Sequence, residues 1–264
     1  MAKPETIASA ANPLVKDVRS AIARGGLTSR GWCVAETLHL LEEALRSRCQ
    51  VRQVLAAESA RNELPGLDGV RLAILPDELV QKISGTEASQ GVIALVEPPQ
   101  WKLENLFGGC ALVVVLDGLQ DPGNAGAIVR AAEAFGASGA IFLKGTASPF
   151  NPKTLRASAG SLFRVPFLYG MDPALARAAF EENRLKIYAA VPSRAGTETR
   201  TAADAELTGP TALLIGNEGR GVSSEWRGAA EGISIPTVAV ESLNAAMAAG
   251  ILLYEARRQR SQRE

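Results

Sequence analysis

The sequence predicts an α/β protein with a mainly parallel sheet, preceded by a smaller α/β module. Apolar runs of strand length alternate with helical patterns along the chain, an order that buries a parallel sheet beneath helices on both faces. Near residue 100 the alternation is interrupted by Glu97-Pro98-Pro99-Gln100 and then by Gly108-Gly109. Adjacent prolines forbid helix continuation and remove ladder donors, so a linker is expected there. A chain of 264 residues has room for one large domain or two modest ones. The expected division is 1–97, a linker at 98–108, and 109–264.

Each element has its own signal. In the first module the pattern predicts a helix at Pro13–Ala23, a strand at Trp32–Ala35, a helix at Glu36–Arg48, and strands at Val51–Ala57 and Val92–Val96. Beyond the linker, strands are expected at Ala111–Leu116, Ala140–Leu143, Lys186–Val191 and Thr211–Ile215, separated by helical stretches. A last helix is expected from about Ser242 to Arg258. It opens on small residues that permit close packing and ends in Arg257-Arg258-Gln259-Arg260, where basic side chains suit the helix dipole.

Composition removes several classes of function. With 47% hydrophobic and 21% charged residues the chain is neither disordered nor collagen-like. Lys and Arg number 28 against 28 Asp and Glu, so any nucleic-acid contact must come from local charge. Cys33, Cys49 and Cys110 form no C-x-x-C pair, and the lone His39 lies in an apolar helical pattern, so neither a metal site nor a histidine base is expected. The apolar runs fall short of the ~20 residues of a membrane span, and the expected location is a reducing cytoplasm.

Ligands of open parallel sheets gather at the carboxyl ends of strands. Three segments after apolar runs stand out. Asp117-Gly118-Leu119-Gln120-Asp121-Pro122-Gly123-Asn124-Ala125-Gly126-Ala127-Ile128-Val129-Arg130 passes from a strand through a glycine-rich turn into a helix. Taken alone it could be a tight connection with Asn124 as N-cap. Gly216-Asn217-Glu218-Gly219-Arg220-Gly221 lets backbone approach a bound molecule closely, as would a merely flexible loop. The third is Ile233-Ser234-Ile235-Pro236, then Ser242-Leu243-Asn244.

Together and in this order, Asn124-x-Gly126-x-Ile128-x-Arg130, Gly216-Asn217-Glu218-Gly219 and Ile235-Pro236…Ser242-Leu243-Asn244 resemble the three signature motifs of the SpoU/TrmH family of RNA ribose 2′-O-methyltransferases. Thr237–Glu241, inside the third, is shorter than the usual family spacing and lacks its glycine. Phe150 to Gly160 resembles the segment between the first and second motifs. Asn12-Pro13-Leu14-Val15-Lys16, Leu40-Leu41-Glu42-Glu43-Ala44-Leu45 and Gln90-Gly91-Val92 are similar to the L30e-like RNA-recognition domain of ribosomal-RNA members.

The resemblance implies a SPOUT domain with a deep trefoil knot, S-adenosylmethionine as cofactor, and homodimerisation through the knotted domain. It implies cofactor contacts at Gly216, Ile235 and Leu243, with Leu214, Glu218, Gly219 and Asn244 close by. Arg130 is the implied activator of the ribose hydroxyl. A guanidinium seldom gives up its proton, so stabilising the developing alkoxide and holding a phosphate is favoured over literal base action. Asn124 and Glu218 would orient the ribose or Arg130, and Ser242 and Asn244 would hold the site in register. Lys153 and Arg156 are candidate phosphate contacts, and Arg19, Arg24 and Arg30 candidate parts of an RNA-facing patch on the first module. Ribosomal RNA is favoured over transfer RNA as substrate. The alternatives are a non-catalytic RNA-binding or ribosome-assembly factor with the same fold, and, further off, an enzyme acting on a small nucleotide.

Overall fold

The computed structural model describes residues 4–85, 90–192 and 199–262. The chain divides into two compact units. One holds the residues up to Gln100 together with Ser148–Arg164; the other holds Trp101–Ala147 and the residues from Val165 onward.

The first unit is a mixed five-stranded sheet in the order β1-β4-β3-β5-β2. Its strands are β1 (Glu5–Thr6), β2 (Cys33–Glu36), β3 (Val51–Ala57), β4 (Arg71–Leu75) and β5 (Val92–Val96). The helices are α1 (Pro13–Arg24), α2 (Leu38–Arg46) and α3 (Asp77–Ile83). β5 is buried at every position and runs antiparallel to both neighbours, β3 and β2. Asn12 caps α1 by accepting from the Leu14 N–H at 2.9 Å, and Pro13 supplies a preset φ at the first helical position. Glu36, expected to open a helix, instead ends β2 and is 2% exposed; α2 starts at Leu38, capped by Thr37. The reason lies far along the chain. The Glu36 carboxylate pairs with the Arg156 guanidinium and accepts from Ser84 Oγ at 2.8 Å and Gly85 N at 2.7 Å. Burying a carboxylate is tolerable only with such partners. Glu43 is held likewise by Arg164 at 2.6 Å. Both arginines come from the Ser148–Arg164 segment, which carries α5 (Pro152–Ser158).

The second unit is a seven-stranded, all-parallel sheet in the order β10-β12-β9-β11-β6-β7-β8. The strands are β6 (Leu112–Asp117), β7 (Gly139–Leu143), β8 (Phe167–Met171), β9 (Lys186–Ala190), β10 (Arg200–Thr201), β11 (Thr211–Gly216) and β12 (Glu231–Ser234). The helices are α4 (Pro122–Ala134), α6 (Pro173–Glu182) and α7 (Ala245–Ser261). The central pair β6 and β11 is nearly fully buried, as continuous apolar runs should be when helices cover both faces. Val113, Val115, Leu214, Phe180 and Trp226 share one apolar cluster. The α/β class with a mainly parallel sheet is as the sequence predicted. Among the described residues, no helix is long and apolar enough to cross a membrane.

The final helix begins three residues later than expected. Asn244, not Ser242, is its N-cap, with Oδ1 accepting from Ala246 N at 2.9 Å and Met247 N at 3.3 Å. Near its other end, Arg260 donates to the carbonyls of Leu207, Cys110, Ala111 and Gly209.

Candidate active site at the carboxyl ends of the parallel strands

Because β6, β7, β11 and β12 are parallel, the loops that follow them emerge at one edge of the sheet. Side-chain amides stitch these loops together. After β6, Gln120 Nε2 donates to the Gly118 carbonyl at 2.9 Å and to the Gly145 carbonyl, beyond β7, at 2.6 Å. Asn217 Nδ2, beyond β11, donates to the same Gly118 carbonyl at 2.9 Å. Buried Asp117 accepts from Ser223 N at 2.7 Å and so fixes the far side of the β11 loop.

That loop folds back on itself. Asn217 and Gly221 exchange backbone hydrogen bonds of 2.9 Å in each direction. A Cβ on Gly216 would lie 2.3 Å from the Gly221 carbonyl carbon, so any larger residue there would force the turn open. Asn217 Oδ1 accepts from Gly219 N and Arg220 N, closing the turn that presents Glu218.

Glu218 meets the start of α4. The cap of α4 is Asp121, accepting from Gly123 N and Asn124 N; Asn124 lies inside the first turn with its carboxamide unspent on capping. Asn124 Nδ2 donates to Glu218 Oε1 at 3.0 Å, and Asn124 Oδ1 accepts from Asn244 Nδ2 at 3.0 Å. Partial burial works against the Glu218 charge. It is outweighed by hydrogen bonds from the Asn124 side chain and from backbone N–H groups of Glu218, Gln120 and Asp121, which hold the carboxyl below its ordinary range. Glu218 is therefore an anion seated at the positive end of α4.

The other candidates fall as follows. Arg130 is exposed on α4 and has no hydrogen-bond or ion-pair partner among the described residues. Ile235 and Leu243 are half-buried; Leu243 directly precedes the Asn244 cap. Gly219 is exposed at the tip of its turn. Leu214 is 0% exposed and sits in the sheet core between β6 and β9, so it lies beneath the site and offers a ligand no surface. Ser242 is exposed outside the helix. Thr237 Oγ1 donates to the Val240 carbonyl at 2.6 Å, closing the short loop between Pro236 and Ser242. In the first unit Arg19, Arg24, Arg30 and Lys153 are exposed, whereas Arg156 is engaged with Glu36. Asp117, Gln120 and Asn217 were not singled out as site residues from sequence. Their roles depend on which strands become neighbours. The one available signal was their place in the loops after apolar runs.

The geometry fits a nucleoside-type cofactor: backbone turns at strand ends, two half-buried apolar side chains, and an ordered row of amides. Among the described residues no group of three or more His, Cys, Asp or Glu is placed to hold a metal.

The chain as a whole is similar to known proteins. Residues 12–94 match the MRM3-like substrate binding domain. A 23S rRNA guanosine 2′-O-methyltransferase of Bacillus subtilis is 31% identical over 256 residues, 95% of this chain and 98% of that protein. A 23S rRNA uridine 2′-O-methyltransferase of Streptomyces viridochromogenes is 38% identical over 208 residues, 76% of this chain and 71% of that protein. The crystal structure of the SpoU methyltransferase AviRb from Streptomyces viridochromogenes, in complex with the cofactor AdoMet, superposes with a TM-score of 0.81 at 29% identity, covering 95% of this chain and 98% of that one. With residues 111–254 matching its family description, this chain belongs to the SpoU rRNA methylase family.

Proposed function

We propose that this protein transfers a methyl group from S-adenosylmethionine to the 2′-hydroxyl of a ribose in ribosomal RNA. The observation that carries the reading is the Asn244–Asn124–Glu218 chain, which draws three separate sequence motifs into one ordered site at the strand ends. The full-length similarity to 23S rRNA 2′-O-methyltransferases supports both the reaction and the RNA class.

The cofactor supplies, when bound, a methyl group already activated on a positively charged sulfur. Gly216, Gly219, Ile235 and Leu243 would hold it through backbone groups and apolar side chains, with buried Leu214 supporting the end of β11 beneath them. The protein's remaining task is to align the 2′-oxygen and ease the loss of its proton. Arg130, exposed and without a partner among the described residues, stabilises the developing alkoxide and grips the adjoining phosphate. Asn124 and Asn244 are locked in orientation by Glu218 and by the cap of α7, so each presents N–H donors rather than a base. Ser242 keeps the loop before Asn244 in register.

The residues 1–97 act as the substrate-recognition domain, 98–108 as linker and 109–264 as the methyltransferase domain with its C-terminal knot, apart from the Ser148–Arg164 segment, which packs within the first unit. Exposed Arg19, Arg24, Arg30 and Lys153 supply phosphate contacts, and Arg156 contributes by holding the segment that carries Lys153. The active protein is a cytoplasmic homodimer. Supporting this, Met247, Ile251 and Tyr254 are 57%, 38% and 56% exposed at successive turns of α7, an apolar stripe suited to a second copy.

The test is incubation with methyl-labelled S-adenosylmethionine and unmodified ribosomal or transfer RNA transcripts. Label entering ribosomal RNA, and lost with Arg130→Ala, is the expected result. Label in neither RNA, with both ligands bound, would overturn the enzymatic reading.

A further inference from the structure

The recognition unit carries an aromatic side chain that none of the proposed roles uses. Trp32 ends a closed turn. Thr28 N donates to the Trp32 carbonyl at 2.9 Å, Trp32 N donates to Thr28 Oγ1 at 3.1 Å, and Gly31, at φ 76°, donates to the Thr28 carbonyl at 2.9 Å. The turn is pinned to α1: Asp17 accepts from Ser29 N at 2.8 Å and from Ser29 Oγ at 2.7 Å. At the tip, the Arg30 guanidinium carbon sits 5.2 Å from the centroid of the half-buried Trp32 ring. The pin brings this pair to the helix bearing exposed Lys16 and Arg19, while the carboxylate of Asp17 is spent on Ser29.

We propose that the Thr28–Trp32 turn is a stacking site for one unpaired nucleobase of the RNA substrate, with the Trp32 indole as platform. The inference rests on the RNA-substrate reading above and adds to it the form of RNA recognised. An indole beneath an exposed cation, bordered by further cations, matches the chemistry of a single-stranded nucleotide: a flat π face next to phosphate charge. A base within a duplex offers no free face, so the site selects loops, bulges or ends. On binding, the base takes the place of the guanidinium on the indole, and Arg30 moves to the neighbouring phosphate. Lys16 and Arg19 hold the phosphates on either side. Asp17 is a positioning residue, acting only through the turn.

The test uses the full chain, a labelled single-stranded RNA 12-mer and its duplex with the complement, and affinities measured at several salt concentrations. Trp32→Ala should weaken single-strand binding by about tenfold and leave the salt slope unchanged, because stacking releases no counterions. Arg19→Gln should instead reduce that slope by about 0.7. Asp17→Asn should weaken binding although it removes a negative charge; charge alone predicts the opposite. The parent's tryptophan emission should be quenched on RNA binding, and Trp32→Phe should keep most of the affinity and lose that quenching. That last readout stands even should the alanine variant unfold. Equal losses for single strand and duplex, unchanged binding by Trp32→Ala, or tighter binding by Asp17→Asn would each overturn the stacking site. Failure of the unmodified protein to bind either RNA would overturn the RNA-substrate reading instead.

Discussion

Asn244 donates from Nδ2 to Asn124 Oδ1 at 3.0 Å, across 120 residues of sequence. Each amide in this relay has one orientation open to it. The Asn244 oxygen is taken by the first N–H groups of α7, so its nitrogen must face Asn124; Asn124 then accepts, and turns its own nitrogen to Glu218. The C-terminal helix, the helix after β6 and the loop after β11 share one hydrogen-bond polarity.

Replacing Asn124 by Asp would set two carboxylates 3.0 Å apart where an amide now donates to Glu218. Methyl transfer should fall by roughly 10–100-fold, the loss expected when a paired polar group faces a mismatched partner. Steady-state kinetics of Asn124→Asp beside Asn124→Ala reads this. Equal activity in the aspartate variant and the parent would refute the relay.

The lowered pKa of Glu218 gives a stability signature. A carboxyl whose folded pKa lies below its ordinary 4.5 stabilises the fold fully above that pH, and the contribution is lost as pH falls through the folded value. The difference in melting temperature between the parent and Glu218→Gln should thus be flat at neutral pH and shrink only in acid. A gap that closes between pH 7 and 6 would rule out Glu218 as the titrating group.

Arg260 is the anchor of α7, with four carbonyl acceptors on Leu207, Cys110, Ala111 and Gly209. Burial lowers its pKa, yet so basic a group keeps its charge. Arg260→Met should cost about 3 kcal/mol. That corresponds to a fall of roughly 6–12 °C in thermal unfolding for a protein of this size. Arg260→Lys should recover only part, since one ammonium cannot reach four carbonyls in the same fork.

Arg156→Met should act on folding more than on RNA affinity. It strands the Glu36 carboxylate, which is 2% exposed, and breaking a buried pair from one side costs about 3–5 kcal/mol. Adding Glu36→Gln should restore part of the loss while keeping the Ser84 and Gly85 contacts. A double-mutant cycle in denaturant measures the coupling; an additive pair would show that the ion pair contributes nothing.

Thiol chemistry should follow burial. Burial, helped by nearby Cys49, pushes the Cys33 thiol up to about 12, and burial also raises Cys49, while Cys110 is exposed. Alkylation of the native protein should therefore modify Cys110 first and Cys33 only on unfolding. Mass mapping after brief treatment would show the order.

What the sequence disclosed follows from where each signal is stored. Leu112–Asp117 and Thr211–Gly216 are continuous apolar runs because both faces of their strands are covered, and they were legible for that reason. Phe167–Met171 was not: Tyr169 is 55% exposed, and the pairing with β7 shifts register there. Glu36 read as helical because its partner Arg156 lies 120 residues away. The motif residues Asn124, Glu218 and Asn244 were found through family resemblance and do meet. Asp117, Gln120 and Asn217 were missed, since their hydrogen bonds join loops that become neighbours only through strand order.

The most direct test is to locate the modification. A 2′-O-methyl ribose cannot attack its own phosphodiester, so alkaline cleavage of ribosomal RNA treated with the protein and S-adenosylmethionine should leave one resistant linkage. A single protected position that disappears with Arg130→Ala is expected. Methyl label on a base with no protected linkage would contradict it.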